Sequence, residues 1–392
     1  MPGFELFGEH EQKHVNDVLE TGILMRYGFD TMRNNCWKAK TFEQVFAQKM
    51  QVKHAQLVSS GTAALTVALA SAGIGAGDHI IMPVFTFVAS FESILALGAI
   101  PVLVDIDDTL TLDPKAVENA ITPKTKAIMP VHMCGSMATL NELQRLCKKH
   151  QLLLIEDACQ AIGGYYEGKS LGSYGDIGCF SFDFVKTITC GEGGAIITNN
   201  DTYAQHADHY SDHGHDHIGN NRGLENHPFM GYNYRISELH AAVGLAQLLR
   251  LDDFLSIQKK HYTIIREALS TIPQITFRRV PETGEENHSF LSFFLPDENL
   301  TRKAHKALTE KGIDGCFYWY DNNWHYIKKW EHLKQLKTLG PLSKTINNQM
   351  PDYNNTDFSR SDHWMSRTLS IAIKLSWTTG EVQQRAEKMT KA

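Results

Sequence analysis

Apolar residues in the first 250 positions fall into short continuous runs, separated by stretches with helical spacing. The runs "GDHIIMPVF" (77–85), "IPVLVDI" (100–106), "TKAIMPVHM" (125–133), "QLLLIEDA" (151–158), "IGCFSFDF" (177–184) and "GAIITN" (194–199) are predicted strands. Between several of them lie helical stretches such as "SGTAALTVALASAG" (60–73) and "MATLNELQRLCKKH" (137–150). Near-continuous apolar strands alternating with helices predict a doubly wound, mostly parallel α/β sheet covered on both faces. In such sheets ligands gather beyond the carboxyl ends of the strands.

The pattern changes near residue 250. "SELHAAVGLAQLLRL" (237–251) carries a helical stripe of Leu239, Ala242, Val243, Ala246 and Leu249 behind a capping Ser237. After it, "TRKAHKALTEKG" (301–312) predicts a helix closed by Gly312, and "TTGEVQQRAEKM" (378–389) opens on a Thr-x-x-Glu capping box. The expected division is a large domain over 1–250, including an N-terminal helix, and a smaller C-terminal α/β domain over 251–392. Segments 281–287 and 340–357 are expected loops, the second long enough to line a site or move.

Composition narrows the classes. Among 392 residues, 42% are hydrophobic and 21% charged, with a formal net charge of −6. No basic patch is present, so neither nucleic acid nor an anionic membrane is an expected partner. The first residues lack a basic start and a long apolar core, and no apolar run reaches membrane-spanning length. Seven scattered cysteines form no metal-type pairs and no disulfide framework. A reduced, cytoplasmic protein is expected.

Candidate chemistry centres on "CFSFDFVKTITCGEGGAIITN" (179–199), where Lys186 sits between two apolar runs. Desolvating an ammonium group at a strand end is costly. Lys186 either escapes to water along its stem or supplies a wanted amine. "SSGTAAL" (59–65) opens a helix with free N–H groups, the Ser60 and Thr62 hydroxyls and no bulk at Gly61, which suits a phosphate or a plain cap. Asp157 ends an apolar strand and needs a cation or donors, whereas Glu156 points the other way because strand side chains alternate. Phe87 offers a face for a flat ring, or a core aromatic. Amine, carboxylate, phosphate cradle and aromatic face together are the parts that pyridoxal 5′-phosphate requires.

These motifs, with "PVFTFVAS", "PVLVDID", "PVHMCG", "IEDACQAIG" and "GYNYRISELHAAVGLAQL" in the same order and spacing, resemble the DegT/DnrJ/EryC1/StrS sugar aminotransferases. The resemblance covers nearly the whole chain. It implies the fold type I (aspartate-aminotransferase-like) architecture and a homodimer with shared active sites. It assigns Lys186 as the Schiff-base lysine, Asp157 to the pyridine nitrogen and Gln160 to the ring's phenolic oxygen. Gly61, Thr62, the Ala63 amide and Ser181 would hold the phosphate, and Phe87 would stack on the ring. Asn233 would reach the phosphate of the neighbouring subunit's cofactor.

Departures from the family pattern are informative. Asp183 and Phe184 replace a common His and Pro, and Cys134 stands where an aromatic is usual. Lysine rather than histidine at 186 favours transamination over dehydration. L-Glutamate, leaving as 2-oxoglutarate, is the expected donor. The expected acceptor is a free keto sugar acid, 8-oxo-3,8-dideoxy-manno-octulosonate, with a nucleotide-linked keto sugar as the alternative. A substrate carboxylate suits a bidentate Arg, for which Arg26, Arg222 and Arg235 are candidates. The segment 206–223 holds five histidines, His206, His209, His213, His215 and His217, in a spacing that matches no standard metal motif. Substrate contact, notably from His213, is the expectation there rather than metal. His325 in the aromatic stretch 316–330 is a further candidate contact.

Overall fold

The computed structural model describes residues 3–219 and 221–392. Its central layer is a seven-stranded sheet of β1 (His54–Val58), β2 (His79–Pro83), β3 (Ile100–Val104), β4 (Thr125–Ile128), β5 (Leu153–Asp157), β8 (Ile177–Ser181) and β9 (Gly194–Thr198). Their order across the sheet is β1-β9-β8-β5-β4-β2-β3. Only β9 runs against its neighbours, pairing antiparallel with both β8 and β1. All six predicted strands are present, and β1 is an additional one.

Both faces of the sheet are buried, and the alternation of side chains shows how. Ile80, Met82, Ile155, Ile177 and Ile196 enter one apolar cluster. Their chain neighbours Ile81, Leu154 and Ile197 enter another on the opposite face. Helices α1 (Glu9–Thr21), α2 (Lys38–Lys49), α3 (Gly61–Ser71), α4 (Val88–Ala96), α5 (Pro114–Ala120), α6 (Leu140–His150), α7 (Asp201–Tyr210) and α8 (Glu238–Leu248) accompany this sheet. The α3 cap is Ser60, and the α8 cap is Ser237, whose Oγ accepts from His240 N–H.

Beyond it, α9 (Leu251–Leu269) and α10 (Glu298–Glu310) flank an antiparallel sheet of β10 (Thr276–Phe277), β12 (Phe290–Phe294), β14 (Thr368–Ala372) and β13 (Cys316–Phe317), in that order. A third sheet joins β11 (Gly284–Glu285) to the hairpin β6 (Tyr165–Tyr166) and β7 (Lys169–Ser170). The first apolar cluster continues through Phe290, Leu291 and Ile371, so one core runs from α3 into the C-terminal sheet. Helix α10 begins before the predicted start, where the Asp297 side chain accepts from Leu300 N–H. The Thr378–Glu381 capping box forms as the sequence predicts. Segment 340–357 is not a bare loop: it holds a short helix, Lys344–Gln349, and buries Tyr353, whose hydroxyl donates to Pro101 O. It lines no part of the main cavity.

Candidate active site

A cavity of about 480 Å³ opens where β5 and β8 end and α3 begins. Gly61, Thr62, Phe87, Asp157, Gln160, Ser181, Lys186 and His325 all line it.

Asp157 and Glu156 demonstrate what the strand pleat does with adjacent carboxylates. Glu156 is buried on the far side, where it accepts from the Gly172, Tyr174 and Gly175 N–H groups (2.7–2.8 Å) and pairs with His132 Nε2 (2.9 Å). That carboxylate is fully used. Asp157, only 4% exposed, faces the cavity and accepts from Ser90 Oγ (2.7 Å) and Cys159 N–H (3.1 Å). Thr86 Oγ1 lies 2.6 Å from Ser90 Oγ and completes the chain. Among the described residues no cation pairs with Asp157. A buried carboxylate supported only by neutral donors is a ready counter-charge for a cationic ring nitrogen.

The cradle is at the start of α3. Ser60 Oγ takes the Ala63 N–H (3.0 Å), so of the expected phosphate donors this amide is already engaged. The Gly61 and Thr62 N–H groups have no acceptor among the described residues and sit beside Ser181. Gly61 must be glycine there, since a Cβ would stand 2.7 Å from Ser181 Cβ. Two free amides, two hydroxyls and the positive end of a helix fit a phosphate.

Lys186 lies five residues beyond Ser181 in the loop between β8 and β9, with its N–H donating to Asp183 O (3.0 Å). No carboxylate is paired with its Nζ among the described residues. The opposite wall comes from the C-terminal part. Thr86 N–H donates to His325 O (2.9 Å) and Val88 N–H to Trp324 O (3.0 Å), which lays segment 322–326 along the end of β2. Phe87 keeps 40% of its surface exposed and contacts the His325 ring at 5.4 Å. The His325 tautomer follows from its neighbours. Trp324 N–H donates to Asn322 Oδ1 (2.9 Å), so that atom is an oxygen, and His325 Nδ1 at 2.9 Å must be the donor to it. Nε2 is left as an acceptor. Burial, and then the Lys186 charge, push the His325 pKa down to about 3, so the ring is neutral.

Gln160 is oriented through its oxygen, which accepts from Cys134 N–H (2.9 Å) and leaves its NH₂ as the donor. Cys134 adopts φ 57°, unusual for a non-glycine residue. Arg278 holds that turn by donating to Met133 O (2.9 Å) and Cys134 O (2.7 Å). Its guanidinium also pairs with Glu286.

Other expected residues lie outside this chain's cavity. Arg26 donates to Leu57 O (2.8 Å) and pairs with Glu43 (2.7 Å). Arg222 grips both Asp212 oxygens (2.8 and 3.0 Å), and Arg235 binds the same carboxylate. None of the three lines the cavity. Asn233 is exposed, and its Oδ1 accepts from Arg235 N–H (3.3 Å). His213 is exposed as well, its carbonyl accepting from His227 Nδ1 (2.9 Å).

The histidine-rich segment is a charge network. His217 donates from Nδ1 to Asp208 (2.7 Å) and from Nε2 to Asp212 (2.9 Å), while His215 Nδ1 lies 2.8 Å from Glu225 without hydrogen-bond geometry. Among the described residues no three metal-type ligands converge. A ring that donates from both nitrogens is the imidazolium. Despite its burial, its two carboxylates raise the His217 pKa from 6.5 to about 9. Because the folded value is the higher one, this contribution to stability is complete below pH 6.5 and disappears as pH rises through about 9. The expected result is a thermal midpoint that falls over this window, with a shallower fall in H217Q. Identical slopes for the two proteins would contradict it.

Sequence reasoning missed Ser90, Thr86, Asn322 and Trp324. Ser90 lies in the quoted "PVFTFVAS" and was open to notice, but its pairing with Asp157 spans 67 positions.

A lysine, a buried carboxylate and a helix start meeting beyond parallel strand ends define a pyridoxal phosphate-dependent aminotransferase of fold type I. The chain belongs to the DegT/DnrJ/EryC1/StrS aminotransferase family, which matches residues 6–390. It is 34% identical over 351 residues to GDP-perosamine synthase of Vibrio cholerae, covering 87% of this chain and 89% of that one. It is 38% identical to L-glutamine:2-deoxy-scyllo-inosose aminotransferase of Streptomyces kanamyceticus over 69% of this chain and 65% of that protein. Among solved structures, the aminotransferase from Psychrobacter cryohalolentis superposes with a TM-score of 0.85 at 26% identity, over 98% of this chain and 96% of that one. NtdA from Bacillus subtilis, solved with bound PMP, gives a TM-score of 0.78 at 25% identity, over 100% and 84% of the two chains. The protein is a sugar aminotransferase.

Proposed function

We propose that this enzyme moves an amino group from L-glutamate to 8-oxo-3,8-dideoxy-manno-octulosonate, giving 8-amino-3,8-dideoxy-manno-octulosonate for lipopolysaccharide in the cytoplasm. When bound, pyridoxal phosphate supplies an aldehyde that carries the amino group and a ring that withdraws electrons. Gly61, Thr62 and Ser181 hold its phosphate, Phe87 covers its ring and Gln160 donates toward its oxygen. Asp157 keeps a proton on the ring nitrogen. Lys186 Nζ, with no carboxylate partner among the described residues, moves the proton at the reacting carbon.

The observation that carries the acceptor is the charge of the cavity wall. Around Lys186 it presents Asp183 and Glu192, and among the described residues Lys186 is the only Lys or Arg lining it. Acidic walls of this kind accept hydrogen bonds from sugar hydroxyls. In an eight-carbon acid aminated at C8, the carboxylate is at the far end of the carbon chain, away from these acids. A nucleotide-linked keto sugar is the second reading, favoured by the likeness to GDP-perosamine synthase over most of both chains.

The active unit in this reading is a homodimer. Asn233 lies in an exposed segment with Met230 (89% exposed) and Tyr232 (57%), apolar surface suited to a second copy whose cofactor phosphate Asn233 would reach.

Half-reactions separate the acceptors. Enzyme first aminated with L-glutamate should return its cofactor to the aldehyde form with the free octulosonate, and not with GDP-linked 4-keto sugars. The reverse preference would replace the first reading by the second. Steady-state rates with both substrates should give parallel double-reciprocal lines.

A further inference from the structure

The first described residues do more than precede α1. Gly3–Leu6 forms one 3₁₀ turn, fastened to three other parts of the fold. Gly3 N–H donates to the carbonyl of Lys186 itself (2.9 Å). Phe4 stacks flat on Phe184, with ring centroids 4.2 Å apart and planes 4° from parallel. Phe184 lines the cavity two residues before the lysine. On the other side, Glu5 Oε2 accepts from both Leu375 N–H (2.8 Å) and Ser376 N–H (2.9 Å). Helix α8 and the residue before α9 hold the turn from below. Gln247 Nε2 donates to Gly3 O (3.3 Å), and Arg250 Nη1 donates to Leu6 O (3.0 Å). The seat at Gly3 is tight, for an added Cβ would stand 2.0 Å from Gln247 Oε1 and 2.8 Å from Thr187 O.

The two ends of this turn lead to opposite walls of the cavity. Leu375 and Ser376 follow β14, which pairs with β13. From β13 the chain runs directly through Trp319–Asp321 to Trp324 and His325. Glu5 is therefore tied to the sheet from which the chain leads on to His325, while Gly3 and Phe4 are tied to the loop that carries Lys186.

We infer that Gly3–Leu6 is a positioning strap: Phe4 and Glu5 set the separation and angle between the Lys186 loop and the C-terminal sheet that leads to His325. The strap touches neither cofactor nor substrate, and it rests on Lys186 being the lysine that carries pyridoxal phosphate. Its contribution is geometric. Displacements of about an ångström at a reacting group cost up to about 100-fold in rate.

The test uses full-length holoenzyme carrying F4A, E5A or F4Y. Two readings are taken: the cofactor absorbance across pH, and the single-turnover rate with L-glutamate. F4A and E5A should each shift the midpoint of the absorbance titration and slow the single turnover about tenfold. KM for L-glutamate should change less than twofold, and F4Y, which keeps the stacked ring, should restore both readings. Wild-type titration and turnover in F4A and E5A would overturn the strap, as would a lowered thermal midpoint with both readings unchanged. If F4A does not fold, E5A decides alone, because Glu5 meets only main-chain amides of the C-terminal part. Borohydride trapping and peptide mapping of the unmutated holoenzyme separate the two levels. A pyridoxyl mark away from Lys186 sinks the assignment of the lysine, whereas a mark on Lys186 with unaltered variants sinks only the strap.

Discussion

K186A lowers amino transfer by about 10,000-fold or more, the upper range for removing a positioned proton-transfer group. Single-turnover absorbance with L-glutamate measures it. Nothing else in the cavity can substitute. Among the described residues Lys186 is its only lining Lys or Arg, and the neutral His325 ring, pushed down to about 3, is a far weaker base than an amine. The variant should bind the cofactor without a covalent link, because Gly61, Thr62 and Ser181 remain in place. Small primary amines added to the buffer should restore part of the rate by entering the vacated space. Undiminished transfer in K186A would refute the assignment at its base.

D157N has the second largest effect, about 100- to 1,000-fold, on the scale of removing one preorganised electrostatic partner of the reacting centre. The substitution changes charge with little change of shape. Its amide oxygen can still accept from Cys159 N–H or Ser90 Oγ, which lie 3.1 and 2.7 Å from the native carboxylate. Stability should behave differently from rate. Asp157 is 4% exposed and has no cationic partner among the described residues, so a neutral side chain removes a desolvation cost in the apo protein. The expected combination is a rate collapse with an unchanged or higher thermal midpoint. A fall in both together would make Asp157 a structural carboxylate like Glu156.

Local signals were legible wherever chemistry and backbone act over a few residues. The caps at Ser237 and Thr378 are contacts three positions long, and they form as the sequence predicts. The strand runs were legible because β5, β8 and β9 are buried on both faces, which writes continuous apolar sequence. β1 escaped because it pairs only with β9 at the sheet edge and buries just Leu57 and Val58 in "HAQLV". The arginines illustrate the opposite limit. Their bidentate chemistry was evident, but Arg222 and Arg235 come from 10 and 23 positions away to the same Asp212, and no local spacing reveals that they are spent there. Likewise, His325 was a candidate from its aromatic setting, while its tautomer required Asn322 and Trp324 in three dimensions.

The reversed direction of β9 has a consequence for how the Lys186 loop is held. A parallel neighbour would demand a crossover of a dozen or more residues, usually through a helix on one face. Here the chain returns antiparallel, so residues 182–193 begin and end on the same rung of one ladder, Ser181 opposite Gly194. The loop that bears Lys186 is thereby clamped like the bend of a hairpin. The facing segment 322–326 is instead pinned across the fold, to the β2 end, through the amides of Thr86 and Val88.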